Sequence, residues 1–243
     1  LFTSCTKRAP EKHLHGTTGG ATDTAATPWH YNTPWPFDQP SLSSLHDAPK
    51  KVFAHYMTQF PISIDNNDPA SDYYENGYLN PEGEGGIHQL YGGYLRNRPV
   101  PRAPRAGANW MEQDMEEEVR RASAIGIDGF AVDLLAYSGY HYDRVIMLLE
   151  AAHRVNPQFS ILLMPDMTAA FLNEPEKLKT VIQTLGAYPA AYRLSDNRLV
   201  VSPFLAENQT AAWWGTWMDT MHLRGVDVAL LPVFQGWQNF ATA

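Results

Sequence analysis

Apolar and polar positions alternate in blocks along most of the chain. Gly129–Leu134 (GFAVDL), Phe159–Met164 (FSILLM) and Val228–Val233 (VALLPV) are short, nearly continuous apolar runs. Lys51–Met57 (KVFAHYM) and Arg198–Phe204 (RLVVSPF) have the same character, and Ala191–Leu194 adds a shorter run. Runs of this length are too brief for helices and read as strands, and their lack of polar alternation predicts parallel pairing with both faces covered. Between them the period changes to that of an amphipathic helix. Met111, Met115, Val119 and Ala122 share one face of a helix that starts at Asn109, a predicted cap, and ends at Gly126. Val145, Leu148, Leu149 and Ala152 do the same within Tyr142–Asn156. A third helix is predicted from Asn173, with Pro175 in its first turn and Leu178, Val181, Ile182 and Leu185 as its stripe. A fourth covers Asn208–Arg224, where Trp214, Trp217, Met218 and Met221 fall at helical spacing and read as core packing.

The strands start near residues 52, 128, 159, 199 and 228. Outside one insertion the interval is about 30–40 residues, the period of a βα unit. The fold class expected is α/β, a (β/α)8 TIM-type barrel of which about the first five βα units are present. An eight-stranded barrel typically needs about 250 residues, and about 190 follow residue 50 here. The alternative is an open five-stranded sheet.

Two segments break the period. Residues 1–50 are rich in Thr, Ala, Gly, Pro and His and show no sustained apolar period, which predicts a flexible, solvated linker. The folded catalytic part is expected over residues 51–243, with an inserted loop at about 58–108. That insertion carries Tyr73, Tyr74, Tyr78, Tyr91 and Tyr94, and an aromatic content of this kind predicts an ordered excursion over the mouth of the fold. Its carboxylates, including Asp65, Asp68, Asp72 and Glu84, read as solvated or turn-forming.

Composition narrows the partners. With 18 Lys+Arg against 26 Asp+Glu, the net charge of −8 argues against nucleic acid and is compatible with a neutral polymer such as a polysaccharide. No apolar run approaches the roughly 18 residues of a membrane span. The lone Cys5 excludes an internal disulfide framework and a cysteine-based zinc site. Thr3-Ser4-Cys5 is similar to the end of a bacterial lipoprotein signal, so Cys5 is a candidate lipidation site. Membrane attachment is expected only through that anchor, and the location expected is extracytoplasmic. No His/Asp spacing matches a metal-ligand set.

The chemistry is expected where βα loops gather, at the carboxyl ends of the strands. Asp133 ends one strand and Asp166 follows the next, so two carboxylates reach one edge. Glu207 stands shortly beyond the fourth strand. Two carboxylates at one edge suggest carboxylate acid/base chemistry. Asp133 and Asp166 are the candidate pair, with Glu207 as substitute acid. His55 and Tyr56 at the end of the first strand, and Gln235 and Trp237 after the fifth, are candidate substrate contacts.

KVFAHYM, GIDGFAVDLL, FSILLMPDM and LVVSPFLAE, in this order at successive strand ends, resemble glycoside hydrolase family 71, the endo-α-1,3-glucanases or mutanases. The resemblance covers about residues 51–240. It implies a TIM-type barrel, hydrolysis of α-1,3-glucan with probable inversion at the anomeric carbon, and no cofactor. It places His55, Asp133 and Asp166 in the cleft, with Glu207 a looser match. In the family an acid/base pair sits in a Trp-Asn-Asp-x-x-Glu type segment after a later strand, and this sequence has no such segment, so the resemblance leaves open a pair beyond Ala243, with Asp133, Asp166 and Glu207 as substrate-binding or supporting groups. Two other readings fit the same residues: a glycosidase for another α-linked polysaccharide such as α-mannan, and a surface lipoprotein that captures glycan without cutting it.

Overall fold

The structure, a computed structural model, describes residues 41–169 and 174–236. Five strands form one sheet: β1 (Phe53–Tyr56), β2 (Gly129–Leu134), β3 (Ser160–Pro165), β4 (Leu199–Val201) and β5 (Val228–Leu230). All neighbours are parallel, and the spatial order β1-β2-β3-β4-β5 follows the chain. Doubly wound sheets reverse direction at a switch point, whereas an unreversed order arises when every crossover lies on the same side. The crossovers carry α2 (Trp110–Ala124), α3 (Tyr140–Val155), α4 (Pro175–Gly186) and α5 (Ala211–Leu223). Among the described residues β1 and β5 are not paired with each other, so the sheet is not closed.

Strand alternation sorts the side chains. Phe130, Val132, Leu134, Ile161, Leu163, Leu199 and Val201 face the helices and join the large core with Leu148, Leu149, Leu178, Ile182 and Trp217. Ala131, Leu162, Met164 and Val200 lie on the opposite face in a smaller cluster, with Phe53, Tyr192, Phe204 and Ala229 packed against it. The central pair is held by the longest register, Gly129↔Ser160 through Leu134↔Pro165. Gly129 is required by close approach: a Cβ there would collide with the Ser160 carbonyl oxygen and the Phe53 ring.

Helix starts differ in detail from the periodic reading. Asn109 flanks α2 without capping it through its side chain, and its Oδ1 accepts from Gln113 Nε2 instead (2.9 Å). The fourth predicted helix begins at Ala211 rather than Asn208, because the Thr210 hydroxyl accepts the Trp213 N–H (3.1 Å) and sets the cap there. Ala206–Asn208 forms a separate 3₁₀ turn. Asn173 lies outside the described residues, and α4 starts at Pro175, where a missing N–H costs no helical bond.

The linker expectation needs a correction at its end. Leu42–His46 is a short helix, α1, capped by Ser41, so structured chain begins before residue 51. Leu45 packs on Gly126, whose positive φ of 85° ends α2, and a side chain there would strike the Leu45 side chain. Asp128, just ahead of β2, accepts the Val52 N–H (2.9 Å) and meets Lys51 Nζ at 3.4 Å. Residues 1–40, with the lipidation candidate Cys5, lie outside the described residues.

The inserted segment is ordered by its own side chains. Tyr74–Tyr78 makes a wide π-helical turn, and Phe60, Tyr73, Tyr74, Tyr78 and Tyr94 pack edge-on or tilted with centroids 5.1–6.0 Å apart. Arg98 grips the buried Asp72 with both nitrogens of its fork. Arg102 and Arg105 converge on the buried Asp114 of α2 (2.5 and 2.9 Å). Asp65 and Asp68 accept backbone N–H groups of Asn67, Tyr73 and Ala70, as turn-forming acids do.

Candidate active site

The site is built by the alternation of the parallel strands. Asp133 lies on the sheet face opposite the helices, two residues beyond Ala131 and paired in register with Met164. Asp166 is two residues beyond Met164 on that same face, and bridges Phe204, which in turn bridges Val233. The two carboxylates therefore project from neighbouring strands at successive levels of the carboxyl edge. Asp133 is only 5% exposed, and its Oδ1 has no hydrogen-bond partner. Burial, then the charge of Asp166, pushes its carboxyl group up to about 6. Asp166 is better solvated. Its Oδ1 accepts the Thr168 N–H (2.8 Å) and the Thr168 hydroxyl (2.7 Å), forming a turn at the strand exit.

This division of environments has chemical content. A carboxyl group titrating near 6 retains its proton in mildly acidic solution and can donate it. The second carboxyl group on that face, Asp166, sits in a more exposed, hydrogen-bonded setting.

Glu207 is in a different situation. Leu205, a non-glycine residue at φ 53°, turns the chain sharply after Phe204 and leads into the Ala206–Asn208 turn. Glu207 Oε1 then accepts the Gly236 N–H (2.6 Å) and the Gln235 N–H (2.8 Å). The Gly236 bond first among them holds its carboxyl below the ordinary glutamate range. Glu207 fastens the loop after β5 to the loop after β4 as an anion. That is a poor setting for an acid that must give up a proton at neutral pH.

The remaining sequence candidates separate. His55 is exposed on the sheet face that carries Asp133, pairing in register with Ala131. Tyr56, next along the strand, points the other way. It is buried in the helix-side core, its hydroxyl donates to Met115 Sδ (3.2 Å), and its ring packs on Phe130. The expected sugar contact at Tyr56 is therefore corrected to a core role, because strand alternation puts neighbours on opposite faces. Gln235 is exposed, with its backbone engaged by Glu207. Trp237 lies outside the described residues. Ser202, buried and two residues past Val200, shares the carboxylate face. The alternation in Leu199–Phe204 marks it, although its residue type alone draws no attention.

Parallel βα units whose strand ends bring two carboxyl groups to one edge suit carboxylate acid/base chemistry, the kind that glycoside hydrolases of α/β architecture use. Among these enzymes, this chain belongs to glycosyl hydrolase family 71, whose model matches residues 105–243. Its similarity to the ascus wall endo-1,3-alpha-glucanase of Schizosaccharomyces pombe (strain 972 / ATCC 24843) is 21% identity over 133 residues, which covers 52% of this chain and 30% of that protein. The chain thus spans less than a third of the length of that relative. Among the described residues no helix is long and apolar enough to cross a membrane.

Proposed function

We propose that the chain supplies part of a (β/α)8-type catalytic barrel that hydrolyses α-1,3-glucan outside the cytoplasm, with Asp133 as general acid and Asp166 as its partner carboxylate. The reading is carried by the contrast between them: a buried carboxyl group raised to about 6 beside a solvated one, on one sheet face. Unreversed parallel order with all crossovers on one side supports the barrel, since a closed ring uses that same repeat. The linkage is supported by the name of the S. pombe relative, and lipid attachment at Cys5 by the small residues before it.

In this mechanism the Asp133 carboxyl group donates its proton to the glycosidic oxygen as the C1–O bond breaks. Positive charge develops on the sugar ring and is stabilised by the Asp166 carboxylate nearby. For inversion Asp166 takes a proton from the water that attacks C1 on the opposite face, which requires about 6.5–9.5 Å between the carboxyl groups. His55 and Gln235 hydrogen-bond substrate hydroxyls, and Glu207 acts by fixing the backbone at Gln235 and Gly236.

The test is incubation with insoluble α-1,3-glucan while counting reducing ends released, for the wild type, Asp133→Asn and Asp166→Asn. Release that both substitutions abolish supports the assignment. Glucan retained without any product would overturn the enzymatic role in favour of capture. Activity confined to an α-mannan would replace the linkage.

A further inference from the structure

Behind the exit of β1, on the helix side of the sheet, lies a group of polar side chains that the carboxylate face does not use. Arg144, one turn into α3, is 1% exposed, and its Nη1 donates to the Thr58 carbonyl oxygen (2.6 Å). Its Nε and Nη2 have no partner, and its guanidinium stacks 3.8 Å from the centroid of the Tyr140 ring. Glu118, on α2, accepts the Ile62 N–H with Oε1 (2.9 Å). The Tyr74 hydroxyl donates to the Pro61 carbonyl oxygen between these two points (2.7 Å). Side chains from two helices and from the inserted segment therefore grasp the main chain at 58, 61 and 62, just after β1 delivers His55 to the carboxylate face.

Burying an arginine and a glutamate is costly, and a stable core would be better served by apolar residues of similar size. Their placement on the backbone at 58 and 62 gives them a different value. The bonds define where the chain leaves β1 and where the inserted segment begins.

We propose that Glu118 and Arg144 are positioning residues, which hold the Thr58–Ile62 backbone and thereby keep His55 aligned with Asp133 for glucan hydrolysis. The catalytic half of this statement rests on the function proposed above; the hold on residues 58–62 does not.

The hold is expected to respond to protonation. Burial pushes the Glu118 carboxyl up to about 7. Tyr56 from β1 and Arg144 from α3 favour its anion, and Asp114 on its own helix opposes it. Tyr74 of the inserted segment faces the same cluster. The anion is the better acceptor for the Ile62 N–H, so the backbone is gripped more firmly above pH 7 than below it.

Amide hydrogen exchange of the whole chain, corrected for the intrinsic pH dependence, tests the hold. Arg144→Met and Glu118→Ala are expected to speed exchange across 58–62 at least about tenfold while β2 and β3 amides stay protected. Glu118→Gln keeps an acceptor for Ile62, so its protection is expected to be largely rescued at pH 6 while its change between pH 6 and 8 disappears. If Glu118→Ala does not fold, Glu118→Gln and Arg144→Lys carry the same comparison. Uniform loosening of the sheet, or no local change, would overturn the proposal. In glucan hydrolysis, Arg144→Met is expected to lower kcat/KM about tenfold, mainly by raising KM, because His55 contacts the substrate. Local loosening with full activity would refute the link to His55. If the wild type has no activity on glucan, the exchange result still decides the hold and the functional reading alone falls.

Discussion

The two faces of the sheet are made from the same strands and obey different rules. On the helix side, Val132, Leu134, Ile161, Leu163 and Val201 are buried among the apolar stripes of α2 to α5, with polar groups gathered behind the exit of β1. On the other side the apolar cluster is small, and the strand ends carry Asp133, Asp166 and Ser202. Asp133 and Leu134 are neighbours in the chain, yet one is an unsatisfied carboxyl group and the other a core residue. Alternation along a strand allows a protein to place a destabilised group beside its strongest packing, and the packing holds the group where it must be.

The comparison is broken most severely by substitution on the carboxylate face. Asp133→Asn removes the proton donor and is expected to cut glucan hydrolysis by about 10²–10⁴-fold, measured as initial rates of reducing-end release. Its melting temperature should not fall, because the amide removes a buried carboxylate that has one unpaired oxygen. The reverse pattern is expected at Leu163, which is fully buried on the helix side. Leu163→Ala should cost about 2–5 kcal/mol in urea unfolding, while any folded fraction retains the pH profile of the wild type.

A subtler separation lies in pH. The folded-state carboxyl of Asp133 sits at about 6, above the ordinary aspartate value. The native state therefore binds that proton more tightly than the unfolded chain does. Its stabilising contribution is fully present below about pH 4, declines as pH rises towards 6, and is constant above that. The change is about 2–3 kcal/mol if the whole shift is expressed. Unfolding of the wild type and of Asp133→Asn across pH 4–7 should show this slope in the first and its loss in the second. The smallest effect is expected at Glu207, whose carboxylate bonds two backbone N–H groups at an exposed loop. Glu207→Gln keeps an acceptor and should leave the unfolding midpoint nearly unchanged, with hydrolysis reduced only a few-fold. A loss as large as that of Asp133→Asn would make Glu207 the acid and displace the present assignment.

Much of this was legible before any coordinates. The apolar runs marked all five strands, because β2, β3 and β4 are covered on both faces and β1 and β5 in part. The stripes of Met115, Leu148 and Leu178 marked the helices between them. The acids at two successive strand ends pointed to a carboxyl edge, since parallel strands all discharge there. What was not legible follows from geometry that one-dimensional spacing does not contain. Thr210 displaced Asn208 as a helix start because a hydroxyl found the Trp213 N–H. Residues 42–46 joined the fold because Leu45 met a glycine far along the chain.

The sequence by itself determined the repeat of strand and helix, the residues of the helix-side core, and the arrival of Asp133 and Asp166 at one edge. Hydrophobic periodicity is a local property, and burial follows it directly. Tertiary structure decided which of the neighbours His55 and Tyr56 faces the site, and that Glu207 holds two backbone N–H groups while Asp133 is buried at its strand end. It also decided that Arg144 and Glu118 meet the chain leaving β1. Orientation, desolvation and pairing depend on what residues distant in sequence bring into contact, and those contacts exist only once the strands have found their register.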